Sequence, residues 1–219
     1  MRAPTIAIAG SEQQFPVRRI YCVGRNYADH VREMGNDPKR DLPFFFSKPA
    51  DAVVGSGRRL PFPAHTTELH HEVELVVALQ GRGIDITATK AEELIFGYAV
   101  GIDLTRRDLQ ADAKKSGRPW DMAKGFDRSA PIGALTPGIP PGAGAISLSV
   151  DGDLRQNGDL KDMIWNTAEI LAALSSYVEL APGDLIFTGT PAGVGPVKRG
   201  ESLRGMIAGI QPIEISFEE

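Results

Sequence analysis

The chain has 219 residues, with 24 Lys and Arg against 28 Asp and Glu and a formal net charge of −4 at pH 7. A 42% hydrophobic content with so small a charge excludes a disordered chain, and no apolar run is long enough for a membrane helix. The 24 Gly and 16 Pro follow no fixed period, which excludes collagen and coiled coil and leaves a turn-rich globular chain with much β structure.

The chain order supports that reading. Thr5–Ala9 and Ile20–Val23 have the short apolar pattern of strands, and residues 1–17 form a short N-terminal strand region. Asn26 to Met34 reads as a helix stopped by Gly35. Phe44–Pro49 is extended, because a residue before proline avoids the helical region. In Glu72–Leu79, Val73, Leu75, Val77 and Leu79 make one apolar face and Glu72, Glu74, Val76 and Ala78 the other. A second strand is expected over Phe96–Thr105, a short polar helix over Thr105–Lys115, and turns over Leu135–Gly144. Ile146–Val150 is a strand followed by a turn at Asp151-Gly152-Asp153. Asn166 and Glu169 have capping-box spacing, and Ile170, Leu171, Leu174, Tyr177 and Val178 follow at helical intervals. Leu185–Thr188 and segments between Ser202 and Phe217 close the fold as strands. With no repeat and no Ser/Gly linker, one domain over residues 1–219 is the simplest organisation. Cys22 is alone, so no internal disulfide forms, and its apolar strand suits a buried thiol. Without a basic stripe no nucleic-acid partner is expected. Without the apolar core of a signal peptide the expected location is the cytoplasm.

Two glutamates at i and i+2 of a strand share a side, and two like charges in apolar surroundings need neutralising. Carboxylate oxygens suit Mg²⁺, Mn²⁺ or Ca²⁺, and Asp103 in the run Tyr98–Leu104 supplies a third. The alternative is a strand with one solvated face. His30 and Glu33 lie three apart on one helix face, as a carboxylate-oriented general base or as a surface ion pair. His65, His70 and His71 read as structural. Of the cations Arg25, Lys48, Arg106, Arg107 and Lys124, the last sits in a buried-looking stretch, Trp120–Phe126, and there needs an anionic partner. The loop from Thr188 to Gly195 lacks the Lys-Ser/Thr end of a P-loop, yet its N–H groups and the Thr190 hydroxyl suit an anion. Around residues 35–41, a polar stretch with Gly and Pro, mobility is expected.

Taken together these segments resemble the fumarylacetoacetate hydrolase family. The resemblance rests on Tyr21–His30 with Glu33, Phe45–Pro49, His71–Leu75, Gly101–Gln110, Pro119–Asp127 and Thr188–Gly195, in the family's order over about residues 20–200. It implies a mainly β fold with some α (α+β), a mixed β-sandwich roll, and a homodimer. It implies Mg²⁺ or Mn²⁺ (with Ca²⁺ as a substitute) on Glu72, Glu74 and Asp103. His30 and Glu33 would be a water-activating lid dyad and Lys124 would stabilise an enolate, with Arg25, Lys48, Arg107, Gln110 and Thr190 binding substrate.

The activity so implied is cation-dependent hydrolysis of a C–C bond in 3-acylpyruvates, small anionic 2-oxo acids of aromatic catabolism. Leu160 and Lys161 depart from the Thr-Ser-Asp-Met pattern of close acylpyruvases, while Trp165-Asn166 resembles fumarylpyruvate hydrolases, so fumarylpyruvate is the expected substrate. Decarboxylation of oxaloacetate, or decarboxylation and isomerisation of dicarboxylic 2-oxo acids, would use the same site. A non-catalytic metal-stabilised binding protein is the reading from another class.

Overall fold

The computed structural model describes residues 3–33 and 41–219. Strands dominate, gathered into two large sheets and two small ones. In the largest sheet the strand order is Phe44–Lys48, Arg19–Gly24, Asp184–Phe187, Val73–Leu79, Ile95–Ile102, Ala130–Ile132 and Val53–Gly55, with Thr136–Pro137 also paired to Ile95–Ile102. The second sheet runs Asp153–Asp159, Ala145–Val150, Ser202–Ile207, Ile213–Phe217 and Arg58–Leu60.

The two sheets share one core. Val73, Leu75, Val77 and Leu79 pack in a single cluster with Ile146, Leu148, Leu203, Ile213 and Phe217 of the second sheet. On the opposite face, Val76 and Ala78 join Ile20, Cys22, Ala99, Leu185 and Phe187, covered by Ile6 and Phe15 from the N-terminal hairpin. The strand Val73–Leu79 is therefore buried on both faces. Its alternation of acid and apolar residues does not mark a solvated face, so the alternative reading of the strand fails. Cys22 is fully buried, and that burial pushes its thiol well above the usual range, as a structural thiol requires.

Where the strands break decides where the site lies. Val73 pairs with Ile102 in the large sheet. Three residues further out, His70 pairs with Thr105 in a separate three-stranded sheet of Thr105–Arg106, Leu69–His71 and Gly195–Val197. Glu72 and Asp103 occupy the bend between these two ladders, joined by Asp103 N–H donating to the Glu72 carbonyl at 2.8 Å. The expected strand over Phe96–Thr105 is thus two elements, because Leu104 turns its N–H toward the Ser129 carbonyl at 3.1 Å. After Phe187 the chain stays beside the Glu74 strand, since Thr188 and Thr190 donate their hydroxyls to the carbonyls of Leu75 and Val73.

Among the helices, Asn166 and Glu169 form the expected capping box in front of Thr167–Ser175. That helix stops before Tyr177, which is 67% exposed. Ser175 and Ser176 turn their hydroxyls back to the carbonyls of Ala172 and Ala173, a competition that favours helix ends. The expected polar helix is Arg107–Ser116, closed by Gly117 at φ 61°. In the segment expected as a helix from Asn26 to Met34, the structure has Ala28–Glu33. Met34, the Gly35 stop and all of the expected mobile stretch except Asp41 lie outside the described residues. Among the described residues no helix is long and apolar enough to cross a membrane.

Candidate active site

Glu72, Glu74 and Asp103 are 6%, 2% and 0% exposed, and each brings a carboxylate oxygen within 4.8 Å of the others. Three buried carboxylates so close are strongly unfavourable without compensation. Lys124, on the short helix Asp121–Lys124, donates to Glu72 Oε2 at 2.8 Å, to Asp103 Oδ2 at 2.6 Å and to Thr105 Oγ1 at 2.6 Å. Arg107 opens its helix and donates Nη2 to Glu72 Oε1. Lys48, at the end of its strand and fully buried, lies 2.8 Å from Asp103 Oδ1 and donates to the carbonyls of Leu104 and Lys124.

The resulting field is uneven. Burial opposes ionisation of Glu72, but Lys124 and Arg107 outweigh it and hold its carboxyl well below the usual range. Burial, then the charges of Asp103 and Glu72, push Glu74 well above it. Burial works against the Lys124 ammonium, yet Asp103 and Glu72 prevail and raise its pKa. The only hydrogen bond given to the Glu74 carboxylate among the described residues is from Gly189 N–H, at 2.6 Å. Asp103 Oδ1, although near Lys48, has no correctly angled donor. An all-oxygen set with acceptor capacity left over fits a hard divalent cation.

His30 and Glu33 also meet as expected. His30 Nδ1 lies 3.2 Å from Glu33 Oε2. Glu33 in turn accepts from Gly193 N–H at 3.1 and 3.2 Å, which ties the short helix to the glycine-rich loop. His30 lines the same cleft as Glu72, Glu74, Arg107, Gln110, Lys124, Thr190 and Arg25. Lys48, expected to bind substrate, is not among the residues lining that cleft; it is paired with Asp103 instead. The glycine-rich loop does present N–H groups to anions, but here the anions are the side chains of Glu74 and Glu33. Gly189 can do so because it adopts φ 98° and lies against Asn26, where a Cβ would come within 2.7 Å of the Asn26 Cβ.

His70 and His71 have the structural roles expected of them. His70 Nδ1 accepts from Arg107 Nε at 3.3 Å, and burial and Arg107 lower its pKa to about 4. His71 Nδ1 is 3.0 Å from Gln156 Oε1.

Some contributors were not foreseen. Gln156, fully buried, accepts from Val73 N–H and donates to Thr190 Oγ1 and the Pro191 carbonyl, clamping the acidic strand to the loop. Its sequence neighbourhood is polar and turn-like and carries no signal of this. Lys114 also lines the cleft. Arg107, Gln110 and Lys114 stand at i, i+3 and i+7, one helix face, a spacing that points to it. Asn26 donates Nδ2 to the carbonyls of Trp165 and Thr188 and accepts from Trp165 N–H. Asn26→Ala is expected to strip one bond from a buried group and two from part-buried ones, at a cost of about 2–4 kcal/mol. Denaturant unfolding checks this, and a loss below about 0.5 kcal/mol would contradict it.

A cleft walled by buried carboxylates, paired cations and a carboxylate-held histidine suits an enzyme that uses a divalent cation. Residues 19–217 match the family described as fumarylacetoacetate (FAA) hydrolase C-terminal. The chain belongs to this family of enzymes. It is 53% identical, with TM-score 0.96 over 100% of this chain and 97% of the other, to fumarylpyruvate hydrolase from Pseudomonas aeruginosa, solved in complex with Mn²⁺ and pyruvate. It is 41% identical to a fumarylpyruvate hydrolase of Ralstonia sp over 82% of this chain and 95% of that one. It is also 41% identical to the mitochondrial oxaloacetate tautomerase FAHD1 of Arabidopsis thaliana, over 91% of each. The relatives thus include both hydrolases and tautomerases. The expected fold and family are borne out.

Proposed function

We propose that this protein is a Mg²⁺- or Mn²⁺-dependent hydrolase of 3-acylpyruvates, with fumarylpyruvate cleaved to fumarate and pyruvate. The observation that carries the reading is His30, held by Glu33, lining one cleft with Glu72 and Glu74, whose carboxylates cluster with that of Asp103. A protein that only binds a cation has no use for such a base, whereas a tautomerase would use it to move a proton between carbon and oxygen. The likeness to fumarylpyruvate hydrolases supports the choice of substrate.

Glu72, Glu74 and Asp103 would hold the cation, which supplies Lewis-acid polarisation of the 2-oxo acid end. His30 turns Nδ1 to Glu33, which leaves Nε2 as the atom that would accept a proton from water. The hydroxyl adds to the carbonyl carbon of the fumaryl group. The bond from that carbon to the pyruvyl CH₂ breaks, and its electron pair leaves as pyruvate enolate. Lys124, beside Glu72 and Asp103, offsets the enolate charge. The proton taken by His30 returns to the enolate carbon. Arg107, fixed by Gln110 at 2.6 Å, orients the carboxylate of the substrate.

The test is a panel of fumarylpyruvate, acetylpyruvate and oxaloacetate with the Mn²⁺-loaded protein, following loss of the enol absorbance and release of pyruvate. Fumarylpyruvate should turn over fastest. Faster conversion of oxaloacetate than of either acylpyruvate would replace this reading with a tautomerase or decarboxylase.

A further inference from the structure

Two cations of the cleft have no acidic partner among the described residues. Lys48, Lys124 and Arg107 are paired with Glu72 and Asp103. Arg25 and Lys114 line the same cleft and rest on aromatic rings instead. Lys114 Nζ lies 5.1 Å from the centre of the Trp120 ring and the Arg25 guanidinium 5.7 Å from that of Phe44. Phe44 and Trp120 meet edge to face with centroids 5.5 Å apart. The two cations therefore flank one aromatic pair. Partial burial and the charges of Arg107 and Arg25 lower the Lys114 pKa, so it feels net positive surroundings. Arg25 is held at φ 62°, a left-handed conformation that costs a non-glycine residue of order 1–3 kcal/mol, and the Asn26 bonds fix the turn that imposes it.

Charge bookkeeping gives these features a purpose. Glu72 and Asp103 take up Lys48, Lys124 and Arg107, while Glu74 and the carboxylate and enolate oxygens of a 2-oxo acid would offset a divalent cation. That leaves Arg25 and Lys114 without an anion, beyond an apolar aromatic wall. We propose that Arg25 and Lys114 form a second anion-binding pole that recognises a distal carboxylate, selecting 2-oxo acids that carry a carboxylate at both ends. Phe44 and Trp120 cover the unsaturated or aliphatic middle of the chain. This inference rests on the hydrolase reading for the orientation of the 2-oxo end.

The experiment compares two probes of equal length, 2-oxopimelate and 2-oxoheptanoate, which differ only in the distal carboxylate. Binding to the Mn²⁺-loaded protein is measured by calorimetry. The wild type should prefer 2-oxopimelate by about 10- to 100-fold, the range of a charge-assisted contact. Lys114→Met and Arg25→Met should each shrink that ratio, and the double variant should bring it near one. Lys115→Met, an exposed neighbour outside the cleft, should leave it as it is. Mn²⁺ affinity of each variant verifies an intact site. No preference in the wild type, an undiminished ratio in the double variant, or equal loss of both probes would each overturn the proposal. Failure of the wild type to cleave either acylpyruvate would overturn the hydrolase reading alone, because the binding ratio decides this one without turnover.

Discussion

Glu74→Gln is expected to lose divalent-cation binding and, with it, activity. Glutamine keeps the size of the side chain and leaves the Gly189 N–H an oxygen to donate to. It also removes a charge that burial and the neighbouring Asp103 and Glu72 carboxylates disfavour. The fold should therefore hold, with a thermal midpoint equal to or above the wild type. The Mn²⁺ affinity should fall by more than the roughly 10- to 100-fold cost of disturbing an outer-shell partner. Titration calorimetry measures this directly. Wild-type affinity in a folded Glu74→Gln protein would remove Glu74 from the cation site. Glu72→Gln should weaken binding too. It also deprives Lys124 and Arg107 of a buried partner, so stability should fall, because a broken buried ion pair leaves uncompensated charge.

His30→Ala should leave Mn²⁺ affinity near the wild-type value and lower acylpyruvate hydrolysis by about 10²- to 10⁴-fold, the usual contribution of a positioned general base. Among the described residues the His30 side-chain bond is to Glu33, not to Glu72, Glu74 or Asp103. The variant separates chemistry from binding, because kcat should fall while pyruvate still binds. Hydrolysis retained at neutral pH would place the base elsewhere. Loss of Mn²⁺ binding would make His30 part of the cation site instead.

The acidic pair, Asp103 and Lys124 are legible as charged groups in segments otherwise patterned for burial, whereas the i,i+3 dyad on its spacing alone reads as readily as a surface ion pair. Their order along the chain carried the family resemblance. What the sequence does not show is how the ladders end. Nothing in Phe96–Thr105 announces that the strand bends at Asp103, since the Leu104 N–H finds its partner in Ser129, a residue distant in the chain. The end of the last long helix was misjudged because Tyr177 and Val178 keep helical spacing while the Ser175 and Ser176 hydroxyls end it. Gln156 was illegible for a similar reason. Its four bonds reach His71, Val73, Thr190 and Pro191, all far off in sequence. Lys114 was legible in principle, one helical turn beyond Gln110, but its exposed, polar stretch of helix reads as surface. Long-range pairing built this site, and the local pattern supplied the groups to be paired.

The most direct test of the account is cleavage of fumarylpyruvate in H₂¹⁸O by the Mn²⁺-loaded protein, with both products examined by mass spectrometry. Attack of His30-activated water on the fumaryl carbonyl predicts one ¹⁸O in a fumarate carboxylate and an equal amount of pyruvate with no label in its carboxylate. Substrate returned intact as a tautomer, or released with loss of CO₂, would contradict it.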